Sequence, residues 1–363
     1  MGQLIKFLKK YSFLALLFVG QVAFCQEHTI EEGIEKEESF NAGELITHHI
    51  GDAHEWHFAT VGHHHYSIPL PVILFSDRGL EMFSSSKLAH GEDHLGYQLD
   101  KHGNLRTTES GRYIYGLTHK GEGTPVYDLS ITKNVASLFL SALLLLAIFI
   151  SIAGSYSNNK GRAPKGIQSF FEPLIMFVRD DIAKPSIGPK YERFLPYLLT
   201  IFFFIWFNNL LGLIPGGANL TGNIAVTLFL ALLTFIITNV NGNKTYWGHV
   251  FNTPGVPLPL RPLMIVLEFI GLFTKPFSLM VRLFANITAG HIIILSFLGL
   301  IFIFKHIAAS LFSLPFAIVM TFLELFVAIL QAYVFTLLSA MYIGSAVEEH
   351  ADHGHEPDYD HGH

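Results

Sequence analysis

Cysteine is all but absent: Cys25 stands alone in 363 residues. One thiol cannot make an intrachain disulfide, and Cys25 lies in a segment expected to be cleaved off, so thiol chemistry is not expected of the mature chain. Charge is scarce as well. Asp, Glu, Lys and Arg make up 14%, against roughly 25% in an ordinary soluble domain. No basic patch exists, so no nucleic-acid partner is expected. No G-x-x-x-x-G-K-[ST] loop occurs, so any nucleotide chemistry must belong to another chain. No internal repeat stands out, which counts against the paired halves of secondary transporters.

Apolar residues are abundant. Half the chain is hydrophobic and 33 residues are Phe, with a mean hydropathy of +0.41. That composition belongs to a polytopic membrane protein. The net charge is −6 and is unevenly spread: residues 26–130 are rich in acid and His, while the later apolar stretches carry few charges.

Residues 1–25 have the form of a secretory signal peptide. Lys6, Lys9 and Lys10 precede the apolar run Phe13–Phe24, and Ala23-Phe-Cys25 is a small-x-small cleavage site. Residues 26–130 form a His-rich extracytoplasmic extension. Its first part is acidic, and residues 56–117 carry strand and turn signals that predict a β-rich fold. Nine histidines (His48, His49, His54, His57, His63, His64, His65, His90, His94) raise a metal hypothesis. Without Cys or clean ligand spacing they are read as solvated, so no metal site and no cofactor are expected. A competing idea is that they buffer protons near a channel mouth.

Residues 131–346 are the membrane domain. Val135–Ser155 is the first span, long enough for a hydrocarbon core of about 30 Å. The basic loop 156–193 then marks the cytoplasmic side. Within it, Ile167–Ile182 has helical spacing of apolar residues and is expected on the membrane surface. Phe194–Ile214 and Ile224–Val240 form a helical hairpin around Asn219–Asn223, and 241–261 returns to the cytoplasm. Two apolar stretches of about 40 residues follow, twice the length a bilayer needs. With only a short link at Phe304–His306, they are expected to be long tilted helices in a hairpin. Residues 347–363 are an acidic, His-rich cytoplasmic tail expected to be disordered. The fold class is therefore an all-α polytopic membrane protein of about five membrane helices, with an N-terminal extracytoplasmic β-rich extension. A cell inner membrane location follows, with the N-terminus periplasmic and the C-terminus cytoplasmic.

The chemistry sits in the two long stretches. Glu268, Lys275 and Arg282 are spaced by seven, with Asn286 four beyond and His291 farther on. Glu324 and Gln331 are seven apart in the second. Such spacings put side chains on one helical face. Arg282 is a permanent cation, and at bilayer depth it costs between about 2.5 and over 10 kcal/mol. The two polar faces are expected to share a common space, with His291 meeting Glu324. Lys275 is equally well read as snorkelling.

Ser278-Leu-Met-Val-Arg282-Leu-Phe-Ala-Asn286 with Ala289-Gly290, and Glu324 through Leu330-Gln331-Ala332-Tyr333-Val334-Phe335, resemble the subunit a family of bacterial F-type ATP synthases (the ATPase subunit 6 family). Asn209-Leu-Leu-Gly-Leu-Ile-Pro215 and Pro262-Leu-Met-Ile-Val-Leu-Glu268 support it. The resemblance implies a non-catalytic stator subunit of the F0 sector that couples proton flow to ATP synthesis. Its expected partners are a ring of subunit c, the subunit b stalk, the F1 sector and lipid. Arg282 would face the ring carboxylate. Asn286, His291, Glu324 and Gln331 would line the outer half-channel, and Glu268 the cytoplasmic one. Family members often carry Glu and His where this chain has His291 and Glu324, which supports their proximity. The alternative reading is an ion-coupled secondary transporter.

Overall fold

The computed structural model describes residues 51–61, 64–76, 78–100, 103–108, 114, 117–118, 126–158, 163–214, 217–251, 257–304 and 307–348. The expected signal segment, the acidic stretch before residue 51, His48, His49, His63 and the tail beyond residue 348 lie outside the described residues. The chain divides into two compact units.

The first unit comprises Met1–Gly154, Phe203–Val226 and Leu283–Gln331. It opens with eight short strands, in keeping with the β signals. Strands β1 (Glu55–Val61) and β2 (His64–Pro69) form a hairpin. Strands β3 (Pro71–Ser76), β4 (Gly79–Ser84), β7 (Leu117–Thr118) and β8 (Val126–Asp128) form a sheet in the order β4-β3-β8-β7. A small ribbon pairs β5 (Tyr97–Leu99) with β6 (Leu105–Thr107). Val72, Leu74, Phe83, Leu88, Leu105 and Val126 belong to the core beneath the sheet. At Gly79 the backbone is left-handed, with φ 96°, as the tight β3–β4 turn requires of a residue without Cβ.

The β region joins the first membrane helix with no free linker. Ile131 N–H donates to the Pro71 carbonyl at 3.1 Å, and Lys133 N–H to the Ala53 carbonyl at 2.8 Å. Helix α1 (Lys133–Asn158) begins there. The Asp52 carboxylate accepts from the Asn134 N–H at 3.0 Å, meeting one of the donors that a helix start leaves without an intrahelical partner. His54 Nε2 lies 2.9 Å from Asp128 Oδ2, and both side chains are buried. Burial opposes ionisation of Asp128, yet hydrogen bonds from His54 and Ser130 outweigh it and hold its carboxyl below the usual carboxylate range.

The second unit comprises Ser155–Phe202, Thr227–Arg282 and Ala332–His363. Helix α2 (Ile167–Phe177) runs through a π-helical stretch, Val178–Ala183, into the short α3 (Lys184–Ile187). Sequence spacing gave the helix but not the wider turn. Helix α4 (Tyr191–Gly212) follows and passes into the first unit. Helix α5 (Ile224–Val240) is bent by 103° against α6 (Lys244–Phe251). Helix α6 lies within residues 241–261, where the sequence pattern named no helix. Its first residues are anchored by Asn243, whose N–H donates to the Ala346 carbonyl at 2.8 Å and whose amide donates to the Val347 carbonyl at 2.7 Å. Gly344 lies so close to the Ser186 carbonyl that no Cβ fits there.

Helices α7 (Arg261–Phe304) and α8 (Ile307–Val347) are the two long stretches. Each is one continuous helix despite Pro276 and Pro315. At 1.5 Å rise, 44 residues make α7 about 66 Å long. Phe297 of α7 stacks on Phe316 of α8 with centroids 5.5 Å apart. Beside them Ile294, Leu298 and Ala317 are buried together, so the two form a hairpin. By length and composition, four helical runs among the described residues are able to cross a membrane, or five if the α5–α6 pair counts as one span.

Candidate functional site

His291 sits on α7 and Glu324 on α8, 33 residues apart in sequence, and the hairpin brings them together. His291 Nδ1 is hydrogen-bonded to Glu324 Oε1. The other ring nitrogen, Nε2, lies 3.2 Å from the Gly212 carbonyl at the end of α4. A carbonyl oxygen only accepts, so Nε2 carries a proton. A second proton then lies between Nδ1 and the carboxyl, whichever atom owns it. Both residues are buried, at 7% and 4% exposure. Among the described residues Glu324 Oε2 has no hydrogen-bond partner.

Three local features hold this pair. A Cβ at Gly290 would stand 3.0 Å from Glu324 Oε1, so the carboxyl occupies space that a side chain would fill. Thr221 donates to Asn209 Oδ1 at 2.6 Å, and Asn209 Nδ2 donates to the Ala328 carbonyl at 3.2 Å. Leu213 packs on Ala328, which fixes the end of α4 against α8. Sequence reasoning singled out the Asn209–Pro215 and Ala289-Gly290 motifs but not these contacts, because they join segments remote in sequence. Gln331, two turns beyond Glu324, is buried at 4% exposure.

In the second unit the pattern is different. Glu268, Lys275 and Arg282 are all exposed. Asn286, one turn beyond Arg282 in the first unit's stretch, is exposed as well. Among the described residues Arg282 has neither a hydrogen bond nor an ion pair, and Tyr342 is within electrostatic range of it. Lys275 Nζ lies 5.6 Å from the centre of the Tyr342 ring, a cation–π contact. A small cavity of about 20 Å³, with a mostly apolar lining, lies among Thr234, Leu272, Lys275, Pro276, Leu279 and Tyr342. Tyr197 and Thr234 share a 2.6 Å hydrogen bond beside it. His291 and Glu324 are buried, whereas Glu268, Lys275 and Arg282 are exposed. His291 follows Arg282 by nine positions, half a turn out of phase at 3.6 per turn. Among the described residues no three His, Cys, Asp or Glu side chains gather as metal ligands do.

The helices and the ionisable groups on them define a multi-pass membrane protein of the ion-translocating kind. The family model described as "ATP synthase A chain" matches residues 135–344. A second model, "Domain of unknown function (DUF8433)", matches residues 45–129. ATP synthase subunit a of Chloroherpeton thalassium is 49% identical over 241 residues, covering 64% of this chain and 72% of that protein. ATP synthase subunit a 2 of Chlorobaculum tepidum is 52% identical over 238 residues, covering 63% and 67%. ATP synthase subunit a of Myxococcus xanthus is 46% identical over 272 residues, covering 71% and 87%.

The chain belongs to the F-type ATP synthase subunit a family. It is thus a non-catalytic, proton-translocating membrane subunit of F0, working within a complex that has a c-ring, with ATP chemistry on F1 subunits. The transporter alternative falls with that membership.

Proposed function

We propose that Arg282 is the stator cation facing the rotor carboxylate, and that two offset half-channels deliver and remove protons beside it. One observation carries the reading: Arg282 is exposed midway along a 44-residue apolar helix, with no acid partner among the described residues. Lipid cannot cover a guanidinium without a cost of between about 2.5 and over 10 kcal/mol. The chain's partner must therefore cover it, and a ring carboxylate does so with the right charge.

The outer path runs past Asn286, His291, Glu324 and Gln331, and the cytoplasmic path past Glu268. Because Nε2 of His291 is committed to a carbonyl, the imidazole is a poor through-relay. Glu324 passes the proton, its free Oε2 serving as the second port, and His291 positions it. Ring carboxylates enter neutral from one path and leave toward the other. Arg282 keeps an ionised carboxylate at the stator and blocks direct passage. Each charge moved through 100 mV then yields about 2.3 kcal/mol for rotation.

The same reading takes residues 1–25 as a signal peptide, 26–130 as an extracytoplasmic extension, 131–346 as the membrane domain and 347–363 as a cytoplasmic tail. It puts the N-terminus in the periplasm and the chain in the cell inner membrane beside the subunit b stalk. Arg282→Ala is the test. The complex is expected to assemble with ATP-driven proton pumping lost, and pumping retained in that variant overturns the assignment.

A further inference from the structure

The β3–β4–β8 sheet is apolar on both faces. Its inner face carries Val72, Leu74, Phe83 and Val126 into the core. Alternation sends the next residues outward, and there the register pairs Ile73 with Met82 and Phe75 with both Leu80 and Tyr127. Leu129 continues the row, its N–H bonded to the Ile73 carbonyl at 2.9 Å. Leu80, Met82 and Leu129 are 61%, 65% and 62% exposed. No charged side chain interrupts these six. An antiparallel sheet normally keeps its second face for water, and a contiguous apolar patch of this kind marks a contact surface.

Chain continuity selects the occupant. Only three residues separate Leu129 from Lys133, where α1 starts. The extended reach from Leu129 to Lys133 is at most about 14 Å. Ile131 is still paired to Pro71 on the way, so the sheet and the helix start are one piece. Helix α1 has 26 residues, about 39 Å, more than the roughly 30 Å of hydrocarbon, so its ends reach the headgroup layer. Phe139, Leu140 and Leu143 in its first half are exposed apolar residues. Tyr127 adds an amphipathic ring, the residue type that favours the membrane–water boundary.

We propose that this outer face of the β sheet rests on the phospholipid headgroup–acyl boundary next to the start of α1. The extension is then a membrane-seated domain, and its apolar face anchors it to the bilayer that α1 enters.

The test uses the whole complex in vesicles. In a Cys25→Ser background, Leu80→Cys, Met82→Cys and the control Glu92→Cys are each labelled with a small fluorophore. Vesicles contain either ordinary phospholipid or phospholipid brominated near the headgroup, and ATP-driven pumping reports assembly. Labels at positions 80 and 82 are expected to lose most of their emission in brominated vesicles, while the label at 92 keeps it. Unquenched labels at 80 and 82 overturn the proposal. Water-like emission then means a bare face, and blue-shifted emission means cover by another subunit or by another segment of this chain. Should either variant fail to assemble, Leu129→Cys is read in its place, and a photocrosslinker at position 82 must give lipid adducts, with protein adducts counting against.

Discussion

Two sets of ionisable residues on the long helices, one in each unit, contrast with each other. In the first, His291 and Glu324 are buried and complete each other. In the second, Lys275 and Arg282 lie exposed on α7, and Arg282 has no acid among the described residues. A buried acid–imidazole pair is tolerated only where its hydrogen bonds offset the cost of taking the two groups out of water. An exposed cation in an apolar helix is tolerated only if something outside the chain completes it. The buried pair is held within the chain, whereas Arg282 is the cation that the proposal gives to a partner.

The strongest way to break this contrast is to give Arg282 an acid of its own. Asn286→Asp puts a carboxylate one turn away, worth about 4 kcal/mol at an effective dielectric near 20. ATP-driven pumping in vesicles should fall more than about tenfold, since 1.4 kcal/mol is already a factor of ten. Assembly should be intact.

The next test removes half of the satisfied pair. His291→Ala or Glu324→Ala leaves a buried partner uncompensated, at a cost of about 3–5 kcal/mol. Passive proton conduction through F0 should drop sharply in each. The exchanged double variant, His291→Glu with Glu324→His, should recover much of it. No recovery would mean that the two act independently.

Smaller effects follow. Gly290→Ala crowds the Glu324 carboxyl, at about 1–3 kcal/mol for overpacking, partly offset by the roughly 1 kcal/mol gain in helix propensity. Conduction should fall only a few-fold. The mildest test concerns acid. Asp128 has a depressed carboxyl pKa, so its stabilisation is present above the unfolded value of about 3.9 and is lost as pH falls toward the lower folded value. Cleavage by pepsin within residues 51–131 should rise below about pH 4. Asp128→Asn should show that susceptibility already at about pH 5, since it lacks the charge at every pH.

Much of this was legible in sequence. Apolar runs set α1, α4, α5, α7 and α8, because lipid-facing helices need length and composition more than specific contacts. The pair of His291 and Glu324 was readable because two long helices joined by a short link must lie antiparallel. The π-helical turn at Val178–Ala183 was not readable, since a wider turn leaves the apolar pattern nearly unchanged. Nor was β8, three residues long and defined only by its pairing with β3. The contact of His54 with Asp128 spans 74 positions and has no local signature. The roles of Gly212 and Gly290 depend on what stands opposite them, and a glycine carries no record of that.

Asp52 caps α1 from outside the helix. The first turn of α1 is therefore held by a folded neighbour as well as by its own hydropathy. Trimming the extension would unpin that turn, leave the first amide groups of the span searching for water, and let the helix slide by a residue or two along its own axis.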